Sequence, residues 1–183
     1  MTIDVLKQFE DEPSEYPPTP SGLSVKATEL DANMVWARIE AYTAHRFTQR
    51  EVVWTLLGDG GDEWHPQLTP IVSKQAHIWA NDAWEAVKLV DAPLGFCLPS
   101  GGTYKITAQV GGGNVPAPVS GAFERLAEYL AGARSSTDEP GASNSKFSVG
   151  STINFEVTRS PAWLARAMQL SGAADLLRPY RRA

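Results

Sequence analysis

One cysteine, Cys97, in 183 residues excludes any disulfide within the chain and any zinc centre built on clustered thiolates. Histidine is almost as scarce: His45, His65 and His77 stand far apart, and none forms a metal-spaced pair. No stretch approaches the ~20 apolar residues that span a bilayer. The acidic start, MTIDVLKQFEDE, lacks the apolar core of a signal peptide, so synthesis in the cytoplasm and no membrane contact are expected. Catalytic motifs are missing as well. There is no GxSxG and no helical HExxH, and Gly101-Gly102-Thr103 and Gly111-Gly112-Gly113-Asn114 lack both the P-loop lysine and the GxGxxG spacing. Asp59, Asp62 and Glu63 miss the EF-hand pattern and read as a solvated turn. Cys97, between Phe96 and Leu98, reads as a small buried hydrophobe. The sequence therefore assigns no catalytic, cofactor-binding or metal residue, and no enzyme is expected.

What is present suits an ordinary globular chain. With 43% hydrophobic and 20% charged residues, 183 residues can build one core and not two large ones. Fifteen glycines and thirteen prolines exceed the needs of a helical bundle and point to many turns. The net charge of -5 proposes no nucleic-acid coat. Its distribution is uneven: residues 1–31 carry seven acidic side chains against two lysines, and residues 159–183 carry five arginines against Asp175. One acidic and one basic end suit head-to-tail docking on a copy or partner, or simply two solvated termini.

The stretch 31–58 organises the rest. Val35, Ile39 and Tyr42 fall at i, i+4 and i+7, with Leu30, Met34, Ala37 and Ala41 beside them, which predicts a helix over 31–44. Thr28 or Asp31 can cap it. Val52, Trp54 and Leu56 then alternate with Val53 and Leu57, which predicts a strand. Residues 2–10 read as a short helix anchored by Val5, Leu6 and Phe9, and 11–22 as a Pro-rich extended arm. Strands are expected at 69–73, 76–80, 84–90, 94–98 and 103–110, with Trp64, Trp79 and Trp84 as the apolar mass of this sheet. Val119, Phe123, Leu126 and Leu130 mark a second helix over 117–134, the natural mate of the first. Residues 135–150 read as a linker. Ile153, Phe155 and Val157 alternate as a short strand, and Ser160-Pro161 opens a third helix with Trp163, Leu164, Ala167 and Met168 on its apolar side.

The fold class expected is thus α+β: a small helical core of two main antiparallel helices, an inserted antiparallel β region, and an extended C-terminal arm with a short strand and helix. The divisions are 1–27 as an N-terminal arm, 28–134 as the core with its insert at about 48–110, and 135–183 as linker and C-terminal arm. The tail Leu176-Leu177-Arg178-Pro179-Tyr180-Arg181-Arg182 is apolar and aromatic with an arginine tip, a composition enriched at interfaces.

Four pieces, in order, resemble the head–tail connector (adaptor) proteins of long-tailed phages and of phage-derived gene transfer agents. They are the helix ending Ile39-Glu40-Ala41-Tyr42-Thr43 and running through Phe47-Thr48-Gln49 to the strand with Trp54; the Pro-punctuated β insert; Val115-Pro116-Ala117-Pro118 opening a helix that ends Leu126-Ala127-Glu128-Tyr129-Leu130; and the closing 176–182 segment. The Pro-rich acidic N-terminus and the long 135–170 region depart from the family pattern. The resemblance implies a structural protein of the virion or phage-like particle neck. It implies a homo-oligomeric ring of twelve copies under the portal protein, bridging it to the stopper or next neck protein. DNA passes through the lumen without sequence-specific binding, and no cofactor is implied. In this family the C-terminal tail reaches onto the portal, which assigns Leu176, Leu177, Arg178, Pro179, Tyr180, Arg181 and Arg182 to portal docking. Ile153, Phe155, Val157, Trp163, Leu164 and Met168 are expected at subunit interfaces. Two other readings stand beside it: a small α+β ligand-binding or enzymatic domain using the Trp-rich insert, and another neck or tail-completion protein.

Overall fold

The structure, a computed structural model, describes residues 3–134, 144–149, 153–158 and 165–181. Its elements run β1 (Asp4–Glu10), α1 (Val25–Thr28), α2 (Ala32–Thr43), β2 (Arg50–Gly58), β3 (Glu63–Trp64), β4 (Ile71–Ala80) and β5 (Ala83–Val87). They continue β6 (Val90–Asp91), β7 (Phe96–Cys97), β8 (Gly102–Val110), α3 (Ala117–Arg134), β9 (Asn144–Val149), β10 (Ile153–Thr158), α4 (Ala167–Leu170) and α5 (Ala173–Leu177). This is the expected α+β class, with antiparallel pairing in every ladder. The elements fall into two compact units: a sheet unit (Met1–Pro17 and Ala44–Asn114) and a helical unit (Pro18–Thr43 and Val115–Arg181).

In the sheet unit, five strands pair in the order β1-β2-β8-β4-β5, and β3, β7 and β6 make a smaller sheet. Alternation does the work. Val52, Trp54 and Leu56 on β2 and Tyr104, Ile106, Ala108 and Val110 on β8 all point inward and are buried. Trp64 joins them, its ring edge-on to Trp54 at 5.2 Å, with Leu68, Leu89 and Leu98 completing the cluster. The indole N–H of Trp54 donates to Gln8 Oε1 at 2.8 Å, so the core's central aromatic leaves no orphan donor.

That bond also records a correction. Residues 4–10 form an edge strand, not a helix, paired with β2 from Asp4↔Leu57 to Glu10↔Val52 with a bulge at Leu6. Val5, Leu6 and Phe9 mimic helical spacing, but the non-local ladder to β2 outweighs so short a helix, which is marginal alone. A second correction concerns tryptophan. Trp79 and Trp84 are not core; they are 46% and 39% exposed and stack edge-on at 5.3 Å beside the Asn81-Asp82 turn. Ala76 and Ile78 take the inward positions of β4, so parity sends Trp79 outward, and Trp84 lies opposite it.

The helical unit is built on α3. Val119, Ala122, Phe123, Leu126, Ala127, Leu130 and Ala131 form its buried stripe, and Phe123 meets Trp36 of α2 at 4.8 Å. The Asp31 carboxylate accepts from Asn33 N–H at 2.9 Å and caps α2. The buried side of α2 is rotated from the expected stripe. Val35, Trp36, Ile39, Glu40 and Thr43 go inward, and Ala37 and Ala41 are exposed. Trp36, the largest side chain of the helix, sets that orientation. Ser24 caps α1 and its backbone and hydroxyl both donate to Glu128 of α3, at 2.6 and 2.8 Å. Those bonds hold the exposed Glu128 carboxyl below its usual range.

Candidate functional site

The C-terminal segment is the part the sequence marks for partner contact, and its described residues up to Arg181 belong to the helical unit. The chain reverses at Gly172, whose φ of +74° favours glycine, and Arg125 Nη1 reaches its carbonyl at 3.4 Å. α5 then seats Ala173 and Leu177 in the core, both fully buried. Leu176 lies beside Gly121 of α3, where a Cβ would stand 3.5 Å from the Leu176 Cδ1, an ordinary van der Waals contact. A 3-10 turn over Arg178–Tyr180 follows, and the Arg181 guanidinium lies over the Tyr42 ring at 5.1 Å. Arg178 pairs with Asp175 at 3.0 Å on the open surface, where such a pair contributes little.

The six described residues of the expected docking set therefore differ in burial. Leu177 is committed to the interior, and Leu176 and Tyr180 are half-buried. Arg178, Pro179 and Arg181 are exposed. Arg182, Trp163 and Leu164 lie outside the described residues, as does the expected helix start at Ser160-Pro161. Met168 is half-buried in α4, next to an exposed Leu170. Ile153, Phe155 and Val157 are in β10, which pairs with β9 as a separate two-stranded sheet.

A second cluster, invisible in the sequence, secures the end of β1 within the sheet unit. Glu10 accepts from Arg46 twice, Nε to Oε1 at 2.5 Å and Nη2 to Oε2 at 2.8 Å, and from Arg50 Nη1 at 3.1 Å. Arg50 also donates to the Thr48 carbonyl at 3.2 Å, and its guanidinium sits 5.8 Å from the Tyr16 ring centre. Burial pushes the Glu10 carboxyl up, but the hydrogen bonds and charges of the two arginines outweigh it and hold the group below its usual range. Beside it, burial and then the Arg46 charge lower the His45 imidazole. The arrangement is a structural latch, because two guanidiniums from the β2 side hold one carboxylate at the end of β1.

The Trp-rich insert does not form a single pocket. Trp64 is on the buried side of the sheet unit, whereas Trp79 and Trp84 are on the open side. A groove of about 510 Å³ beside β4 and β5 is lined by Lys74, Lys88 and Asp91 among others, and none of these three tryptophans lines it. Lys74 is held there between Asp91 at 3.0 Å and the Phe96 ring at 3.9 Å. No group of three or more His, Cys, Asp or Glu side chains able to hold a metal occurs among the described residues. No helix among them is long and apolar enough to cross a membrane.

No protein-family model matches the chain, and no curated protein does. Solved structures do. The fold is similar to a chain in the virion of a native gene transfer agent particle, with a TM-score of 0.54 and 18% identity over 100% of this chain and 96% of that one. It is also similar to a chain in the neck of a native gene transfer agent particle, computed with C12 symmetry. There the TM-score is 0.50 and the identity 17%, over 100% of this chain and 96% of that one. At such identity the likeness is one of fold, and the alignment covers the chain from end to end.

Proposed function

We propose that this chain is a structural, non-enzymatic neck subunit, a head–tail connector (adaptor), in the virion of a phage or gene transfer agent. Twelve copies form a ring under the portal protein, bridge it to the next neck protein and let DNA pass. The observation that carries this reading is the end-to-end fold likeness to a chain from a gene transfer agent neck. The four ordered sequence pieces, from the Ile39–Thr43 helix end to the closing arginines, point the same way independently. A net charge of -5 suits a conduit, since a lysine- and arginine-rich lumen would hold phosphates rather than release them.

In this reading the tail has two parts. Leu177 and Ala173 anchor it on α3, and Arg178, Pro179, Tyr180 and Arg181 present the portal-facing tip. Ending the chain after Leu177 separates the roles. The truncated protein is expected to keep its melting temperature within a few degrees and to lose binding to a purified portal ring. Normal binding by a well-folded truncation would refute the tail assignment.

A further inference from the structure

The hairpin β9–β10 pairs Val149↔Ile153, Phe147↔Phe155 and Ser145↔Val157. Residues directly opposite share a face, and faces alternate along a strand. Positions 145, 147, 149, 153, 155 and 157, which are Ser, Phe, Val, Ile, Phe and Val, therefore fall on one face, apolar at all but its end. The other face takes Asn144, Lys146, Ser148, Asn154, Glu156 and Thr158, every one polar. This is the pattern of a ribbon with one side meant for burial. Yet the hairpin is a two-stranded sheet of its own, and such a sheet needs a second layer to be stable.

The five-stranded sheet has the complementary defect. Its inner face carries the core, and on its outer face large apolar side chains are exposed. The register aligns Leu57 with Thr103, and Trp79 with Trp84; continuing the β4–β8 pairing by one residue places Trp79 beside Thr103. Leu57, Thr103, Trp79 and Trp84 thus form a row crossing four strands, with Leu57 45%, Trp79 46% and Trp84 39% exposed. Three strand spacings make that row about 14 Å long, and a six-residue strand is about 20 Å, so a hairpin laid across the strands covers it. Farther along the same face, Phe9 lies opposite Val53 and is 57% exposed. The intervening positions Lys7, Thr55, Lys105 and His77 keep the face soluble until it is covered.

We propose that the apolar face of β9–β10 on one copy packs over the Leu57–Trp79–Trp84 row on the sheet of the next copy. The two surfaces are different parts of the same chain, so the contact is heterologous: each copy gives a hairpin and receives one. Contacts of that kind close into rings when the rotation permits. The inference rests on the ring reading above and adds the contact that builds the ring.

The test uses three full-length proteins, each mixed with a portal ring and alone at high concentration, with mass read by sedimentation velocity. They are the wild type, a hairpin variant (Phe147→Ser with Phe155→Ser) and a sheet variant (Trp79→Ser with Trp84→Ser). Circular dichroism checks that both variants keep the wild-type melting transition. Each variant alone is expected to self-associate roughly thirtyfold more weakly or worse, as for loss of interface hot spots. Mixed together, the variants are expected to give a one-to-one dimer and no ring, because only one intact hairpin–sheet pair remains. Rings formed normally by either variant would overturn this contact while leaving the ring reading standing. A wild type that assembles under no condition would overturn both.

Discussion

Replacing Glu10 by glutamine removes the charge at the centre of the latch and keeps its shape. The side chains of Arg46 and Arg50 are only 11% and 4% exposed, so two guanidiniums lose one charged partner in a poorly hydrated place. Breaking a buried pair costs about 3–5 kcal/mol. Glu10 itself is 22% exposed, and glutamine still offers one carbonyl oxygen, which together bring the expected loss to about 2–3 kcal/mol. Urea unfolding is the assay, with a lower midpoint and an unchanged slope expected. Native-state hydrogen exchange should localise the loss to the amides of β1. The pH dependence carries a sign. Because the folded pKa of Glu10 is depressed, its stabilisation is present above the unfolded value and is lost as pH falls through the folded one. Wild type should therefore lose stability in acid more steeply than Glu10→Gln. A loss below about 0.5 kcal/mol, or identical acid profiles, would refute the latch.

Other outcomes follow from the same geometry. Leu177→Ala should cost about 2–5 kcal/mol by opening a cavity against α3, and a melting temperature within error of wild type would contradict that burial. Gly111 has φ of +103°, and a Cβ there would collide with the Thr48 carbonyl and come within 2.9 Å of the Arg46 Cβ. Gly111→Ala should cost about 2–3 kcal/mol in chemical denaturation, and a neutral result would mean the Thr48 loop moves freely. His45 is depressed, so its contribution is present above the unfolded value of about 6.5 and is lost as pH falls toward the folded one. His45→Asn should flatten the stability profile across that window, and an unchanged slope would count against it.

Legibility in the sequence followed the range of the interactions. The stripe Val119, Phe123, Leu126 and Leu130 and the alternation Tyr104, Ile106, Ala108 and Val110 are local periodicities, and all eight residues are buried as their spacing implies. Residues 4–10 were misleading because their partner, β2, lies more than forty positions away, and local spacing alone favours a helix. Trp79 and Trp84 misled through size: tryptophan suggests a core, but the parity of β4 places them on the open face. The Glu10–Arg46–Arg50 latch spans 36 and 40 positions and had no signature beyond ordinary charged residues. Arg181 over Tyr42 was equally hidden, although the arginine-tipped tail itself was plain in the sequence.

The most direct test of the central claim is the mass of the purified protein by light scattering, alone and after mixing with a portal ring. The account predicts a species that becomes a closed ring of twelve copies on the portal, stoichiometric with it. A protein whose mass is indifferent to the portal would contradict it.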